Sequence, residues 1–92
     1  MKLIWTRLAQ QDRRSIRSYI AQDNPAAALA LDALFSEKAA RLVDHPALGR
    51  PGRVAGTREL VAHRNYIVIY DLADEKLRVL RVLHAARQWP QS

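Results

Sequence analysis

The stretch Thr57-Arg58-Glu59-Leu60-Val61-Ala62-His63, followed by Tyr66-Ile67-Val68-Ile69-Tyr70-Asp71-Leu72, decides the fold. Tyr66, Val68, Tyr70 and Leu72 alternate with Ile67, Ile69 and Asp71, the period-two pattern of a strand rich in aromatic and β-branched residues. Both alternating sets are largely apolar, which predicts a central strand covered on its two faces. Leu77, Val79 and Leu83 then alternate with Leu80 and Val82 in a run that also carries Arg78 and Arg81 and ends on His84. The last third therefore reads as three strands joined by two short turns. The residues upstream read as a layer that covers one face of this meander.

Working back toward the N-terminus, two helices precede the strands. Asn24 and Pro25 suit the cap and first position of a helix, where the missing proline N–H costs nothing. Ala28, Leu31, Leu34, Phe35, Ala39 and Leu42 follow at spacings of three and four, one apolar stripe read as core. His45-Pro46 ends that helix, because the residue before proline is pushed out of the helical region. In the helix before it, Thr6 is the candidate cap, and Leu8, Ile16, Tyr19 and Ile20 form the apolar side. Arg13, Arg14 and Arg17 lie on the other side, as a solvated face or as contacts for a partner. The short connection predicts an antiparallel helix hairpin. Met1 to Trp5 is an apolar run long enough for one strand.

Residues 46–56 gather all three glycines and two of the four prolines, so they read as a crossover loop rather than helix or central strand. Arg50 and Arg53 among these glycines have the composition of an anion site but no Walker spacing. The plain loop is the reading preferred.

Ninety-two residues make one domain, 1–92, with a single core. No apolar run reaches the roughly 20 residues of a membrane span, no signal-peptide core precedes the first helix, and cysteine is absent. The expectation is a cytoplasmic protein without disulfides or thiolate metal sites. Fifteen Lys and Arg against nine Asp and Glu give +6, a balance that draws nucleic acid or acidic protein partners. His45, His63 and His84 have no helical i, i+4 spacing, and no serine sits in a Gly-x-Ser-x-Gly setting. A metal enzyme or serine hydrolase is therefore not expected, and no cofactor is implied. The cluster that remains is basic: Arg58, His63, Arg81, His84 and Arg87, at strand ends where phosphate or an acidic partner can be held.

The order strand, helix hairpin, Pro/Gly loop and three-stranded meander resembles the RelE/ParE superfamily of type II toxins. Matching pieces are Trp5-Thr6, Tyr19-Ile20-Ala21 with Asp23-Asn24-Pro25, and Gly49-Arg50-Pro51-Gly52-Arg53. They continue with Gly56-Thr57-Arg58-Glu59-Leu60-Val61, Tyr66 with Tyr70, and Arg81-Val82-Leu83-His84 with Arg87. The resemblance implies an α+β fold, a two-helix hairpin packed on one face of a small, mainly antiparallel sheet in the order β-α-α-β-β-β. It implies one of two activities, inhibition of DNA gyrase in the ParE branch or cleavage of messenger RNA on the ribosome in the RelE branch. In the RelE pattern basic residues line the strand before the central one, and another follows its first Tyr. Here Leu60 and Ile67 stand at such places, while Arg58 and Arg87 are kept. No acid–base Tyr follows Arg87, and His84 is the candidate in its place.

The ending Arg81-Val82-Leu83-His84-x-x-Arg87 resembles the ParE branch more closely. The expectation is a gyrase inhibitor, not an enzyme, with Arg81, Arg87 and Trp89 as target contacts. Arg13, Arg14, Arg17, Arg78 and Arg81 would meet a cognate acidic, ParD-like antitoxin in a hetero-oligomer. As a ribonuclease it would use Arg58, His84 and Arg87 on ribosome-bound messages.

Overall fold

The computed structural model describes residues 1–86 and Trp89. Strand β1 (Lys2–Trp5) leads into helix α1 (Arg7–Ala21) and helix α2 (Pro25–Asp44). The two-residue strand β2 (Arg50–Pro51) and strands β3 (Thr57–His63), β4 (Tyr66–Ala73) and β5 (Lys76–His84) follow. The order across the sheet is β1-β5-β4-β3-β2, with every neighbour antiparallel except β1, which runs parallel to β5. Two expectations are refined here. The N-terminal strand joins the meander as its edge instead of lying over it, and the Pro/Gly loop contributes a short second edge. Proline is tolerated in that edge because no ladder continues beyond it.

Local chemistry accounts for the helix ends. The Thr6 hydroxyl accepts the Ala9 N–H at 3.2 Å, and Asn24 Oδ1 accepts the Ala27 N–H at 3.0 Å, each satisfying a donor the first turn leaves free. The stripe of α2 is core as expected: Phe35, Ala39 and Leu42 are buried against Tyr66, Val68, Tyr70, Leu77, Val79 and Val82, and Ala28 is buried nearer the start of the helix. Phe35 meets Tyr66 edge-to-face, with centroids 5.7 Å apart. The apolar side of α1 departs from its expected role. Only Ala9 is fully buried there, Leu8 is 53% exposed and Tyr19 is 71% exposed.

The central strand is covered on its helix face and partly on the other. Ile69 on β4 and Leu83 on β5 are buried outside the main cluster, whereas Val61 on β3 is 54% exposed. One irregularity shapes the rest of the molecule. Ile69 pairs with Arg81 while Tyr70 pairs with Val79, so Leu80 is an extra residue in β5. Such a bulge re-aims the side chains beyond it. Arg81 and Val82 both turn toward the helices, and the Thr6 hydroxyl donates to the bulged Leu80 carbonyl at 3.0 Å.

The loop before β3 is stitched to the sheet by one buried phenol. Tyr70 Oη accepts the Gly49 N–H at 2.9 Å and donates to the Pro46 carbonyl at 2.7 Å. A Cβ at position 49 would stand 2.7 Å from that oxygen, so glycine is required by close approach.

Candidate functional site: a helix-side groove and an arginine-rimmed cleft

Most of the arginines singled out by sequence are tied within the molecule. Arg13 donates to the Asp32 carboxylate at 2.9 and 3.0 Å and to the Ser36 hydroxyl at 2.7 Å, and its guanidinium lies 4.3 Å from the Trp5 ring centroid. Arg17 joins it on Asp32 at 3.2 Å. Burial pushes the Asp32 carboxyl up, but the hydrogen bond and charge of Arg13, with those of Arg17, outweigh it and hold the group below its ordinary value. Arg78 pairs with Asp71 across the β4–β5 hairpin, and Arg81 forks onto Asp12 of α1 at 2.8 and 2.9 Å. Arg14 is exposed, with no carboxylate partner among the described residues. The trio on α1 is thus neither a uniformly solvated face nor a uniformly free basic patch. Two of its members clamp α1 to α2.

The strand-end cluster is only partly brought together. His63, Tyr66 and His84 form one row across β3, β4 and β5, with His63 and His84 packed 6.1 and 5.3 Å from the Tyr66 ring centroid. Arg58 sits elsewhere. It pairs with Tyr70, four residues along β4 from Tyr66, or roughly 13 Å at ~3.3 Å per residue. Its guanidinium donates to the Gly49 carbonyl at 2.7 Å. Arg87 lies outside the described residues.

The row of His63, Tyr66 and His84 closes one end of an open groove of about 880 Å³. Along its length the wall is α1, presenting Leu8, Ser15, Ile16, Tyr19 and Ile20, faced by Leu31 of α2 and Val82 of β5. Asp12 also lines it but is neutralised: its carboxylate takes both Arg81 donors and the Val82 N–H at 3.0 Å. Sequence reading placed Leu8 and Tyr19 on the apolar side of the first helix. Helical spacing marks an apolar face without saying whether its partner belongs to the same chain.

On the opposite face of the sheet a second, smaller cleft of about 130 Å³ lies among Arg50, Arg53, Arg64, Val61, Ile67 and Trp89, with Glu59 also lining it. The Glu59 side chain is 7% exposed and accepts the Arg53 N–H at 3.2 Å, with Arg50 Nη2 3.5 Å away. Three guanidinium side chains therefore rim an apolar patch bearing one tryptophan. Trp89 was singled out by sequence. Arg50 and Arg53 were assigned to a plain loop, and Arg64 was not singled out at all. The only signal for them was arginine in otherwise turn-forming segments.

The sequence profile of the ParE toxin of the type II toxin-antitoxin system parDE matches residues 3–89. Y4kP of Sinorhizobium fredii, whose description is that of a toxin, is 40% identical over 91 residues, covering 98% of this chain and 94% of that protein. Toxin RelE2 of Caulobacter vibrioides is 36% identical over 86 residues, covering 94% and 97%. A solved structure of the chromosomal ParDE toxin-antitoxin system from P. aeruginosa superposes with a TM-score of 0.83 at 27% identity, covering 91% of this chain and 95% of that one.

Proposed function

Because the chain belongs to the family of ParE toxins of type II toxin-antitoxin systems, we propose that it is held inactive by a cognate ParD-like antitoxin in the cytoplasm and, when free, binds and inhibits DNA gyrase. The observation that carries this reading is the separation of the groups a ribonuclease would need. Phosphoryl transfer demands cations and a proton-transfer group around one phosphate, within about 3 Å of the reacting atoms. Arg58 is bonded to the Gly49 carbonyl on β3, whereas His84 sits two strands away at the other end of the ladder. His84 Nδ1 is also taken, by the Ala86 N–H at 3.1 Å.

An inhibitor of gyrase needs no proton transfer of its own. It needs a surface with aromatic and guanidinium anchors, the residue types that dominate interface hot spots. The cleft around Trp89 supplies them in Arg50, Arg53 and Arg64. In this reading target binding lies on the face opposite the α1 groove, and Arg81, held on Asp12, serves as scaffold. A ribosome-dependent ribonuclease is the second reading, favoured by the name of the Caulobacter relative and by His84 beside a tyrosine.

The test is induction of the chain without its antitoxin, with supercoiling by purified gyrase and cleavage of messages followed side by side. Loss of supercoiling with intact messages is the expected result. Codon-periodic cleavage with normal supercoiling would replace this reading with the ribonuclease.

A further inference from the structure

We infer that the arginine-rimmed cleft on the outer face of the sheet receives an acidic protein segment of the target. An apolar side chain of that segment rests on Val61 and Ile67, and its carboxylate takes Arg50 over from the internal Glu59. The inference rests on the gyrase reading and specifies the chemistry of the contact, which is made to protein and not to DNA.

Charge comes first. Arg13, Arg17, Arg78 and Arg81 are engaged on Asp32, Asp71 and Asp12 elsewhere in the molecule. The cleft gathers Arg50, Arg53 and Arg64 around Glu59, so among the described residues three guanidinium groups face one carboxylate. The side chains of Arg53 and Arg64 have no carboxylate partner among those residues. Local positive charge in excess of its internal partner attracts an anionic group.

Glu59 then shows how that group is received. Its side chain is 7% exposed, and Oε2 accepts the Arg53 N–H at 3.2 Å. Oε1 offers Arg50 Nη2 a contact of only 3.5 Å, and the Arg50 side chain is 66% exposed. A pair that long and that wet is weak. An incoming carboxylate forked onto Arg50 replaces one long contact with two short ones. The backbone that presents Arg50 is already fixed. Tyr70 Oη holds the Gly49 N–H and the Pro46 carbonyl, Arg58 holds the Gly49 carbonyl at 2.7 Å, and Arg50 pairs with Glu59 across β2 and β3. Binding therefore orders little new chain.

The floor of the cleft selects protein. Val61, 54% exposed, pairs with Ile67 across β3 and β4, and both line the space beside Trp89. A phosphodiester backbone has no apolar group for that floor, and its charge would face Glu59. The space of about 130 Å³ lies well below the roughly 300 Å³ at which small-molecule pockets begin, so it suits a single anchoring side chain. Tryptophan and arginine around a small apolar floor is the composition of a protein–protein hot spot. A second copy of the chain is a poorer occupant, since each brings a formal charge of +6 and would present the same arginines.

The test titrates the purified chain into gyrase holoenzyme without DNA, and separately into linear duplex DNA and single-stranded DNA, with supercoiling assayed in parallel. Binding to the enzyme alone is expected to be far tighter than binding to either DNA. Arg50→Ala and Arg64→Ala, both at exposed positions, should each weaken it at least ~10-fold, as hot-spot truncations do. Arg7→Ala removes the same charge from an exposed position outside the cleft and should leave affinity unchanged. Glu59→Gln keeps an acceptor for the Arg53 N–H and removes the competing charge, so it should bind about 3-fold tighter or more. A Glu59 that served the fold alone would not move affinity in that direction. Wild-type affinity in both Arg50→Ala and Arg64→Ala, weaker binding by a Glu59→Gln chain that melts as wild type does, or binding that appears only when DNA is added would each overturn the assignment. Inhibited supercoiling alongside any of these would leave the gyrase reading standing. Neither binding nor inhibition by the wild-type chain would remove that reading and this one together.

Discussion

Arg81 lays its guanidinium on the Asp12 carboxylate through hydrogen bonds of 2.8 and 2.9 Å, joining β5 to α1 across 69 residues of sequence. The hydrogen bond to Asp12 raises the Arg81 guanidinium above its ordinary value, burial opposes that, and the carboxylate charge adds to it. Both side chains are less than a fifth exposed, so removing one partner strands the other in a partly dry site. Arg81→Ala should lower stability by about 2 kcal/mol, with Asp12→Ala similar and the double variant less than additive. Urea unfolding of the four proteins in the cycle checks this. Additivity would mean the two charges do not interact.

The β4–β5 hairpin turns through Asp74 and Glu75, whose φ angles are +53° and +58°. Two left-handed residues in a two-residue turn fit the right-handed twist of the strands, and Asn-Gly is the pair best suited to them. Each non-glycine residue in that region costs roughly 1–2 kcal/mol. Glu75→Gly should therefore stabilise the protein by about 1 kcal/mol, and Asp74→Asn combined with it somewhat more. The Lys2 N–H that reaches the Glu75 carbonyl at 3.1 Å is a backbone contact and survives both changes. A lower melting temperature in Glu75→Gly would contradict the turn geometry.

Acid should loosen the helix hairpin through Asp32. Its carboxyl is held below the ordinary value of 3.8 in the folded chain, chiefly by Arg13 against the opposing effect of burial. A depressed carboxylate contributes stability that is fully present above its unfolded value and is lost as pH falls through the folded one. Asp32→Asn should therefore melt below wild type at pH 6, and the gap should narrow from about pH 4 downward. A gap that stays constant to pH 2.5 would show that ionisation of Asp32 is not what joins the helices.

These features differ in how far the sequence discloses them. Caps, strands and the α2 stripe follow from neighbours in the chain: Thr6, Asn24 and Pro25 act within one turn, and β4 alternates along itself. The parallel pairing of Lys2–Trp5 with β5 is different, because an apolar run of that length fits many partners. The bulge at Leu80 is hidden because apolar residues fall on both alternating sets around it, Val79 and Leu83 on one and Leu80 and Val82 on the other. That one extra residue accompanies the turn of Arg81 toward Asp12, an internal tie that its place in the sequence does not disclose. Leu8 and Tyr19 illustrate the same limit, since periodicity reports a face and burial depends on what arrives to cover it.

Phe35 tests the core itself. It is fully buried and edge-on to Tyr66, whose ring also packs against His63 and His84. Phe35→Ala should cost about 3–5 kcal/mol, a large part of the stability of a domain this size. The row at the end of the groove should lose order with it, visible as broadened His63 and His84 imidazole resonances. Wild-type stability would mean that α2 does not pack through this ring.

The last expectation separates the two faces by function. Trp89→Ala and Arg53→Ala alter the cleft on the outer face and touch neither the α1 groove nor the core. The Arg53 contact to Glu59 runs through its backbone N–H, so the substitution removes the guanidinium without breaking that bond. Both variants should lose toxicity while keeping antitoxin affinity. His84→Gln should leave toxicity largely intact, because a gyrase inhibitor uses no acid–base group of its own. Were His84 the proton-transfer residue of a ribonuclease, the same change would cost on the order of 10²–10⁴ in cleavage rate. Growth arrest by each variant, read alongside induction of the DNA-damage response, discriminates the two. Arrest abolished by His84→Gln but unaffected by Trp89→Ala and Arg53→Ala would move the active surface to the strand ends and overturn the gyrase reading.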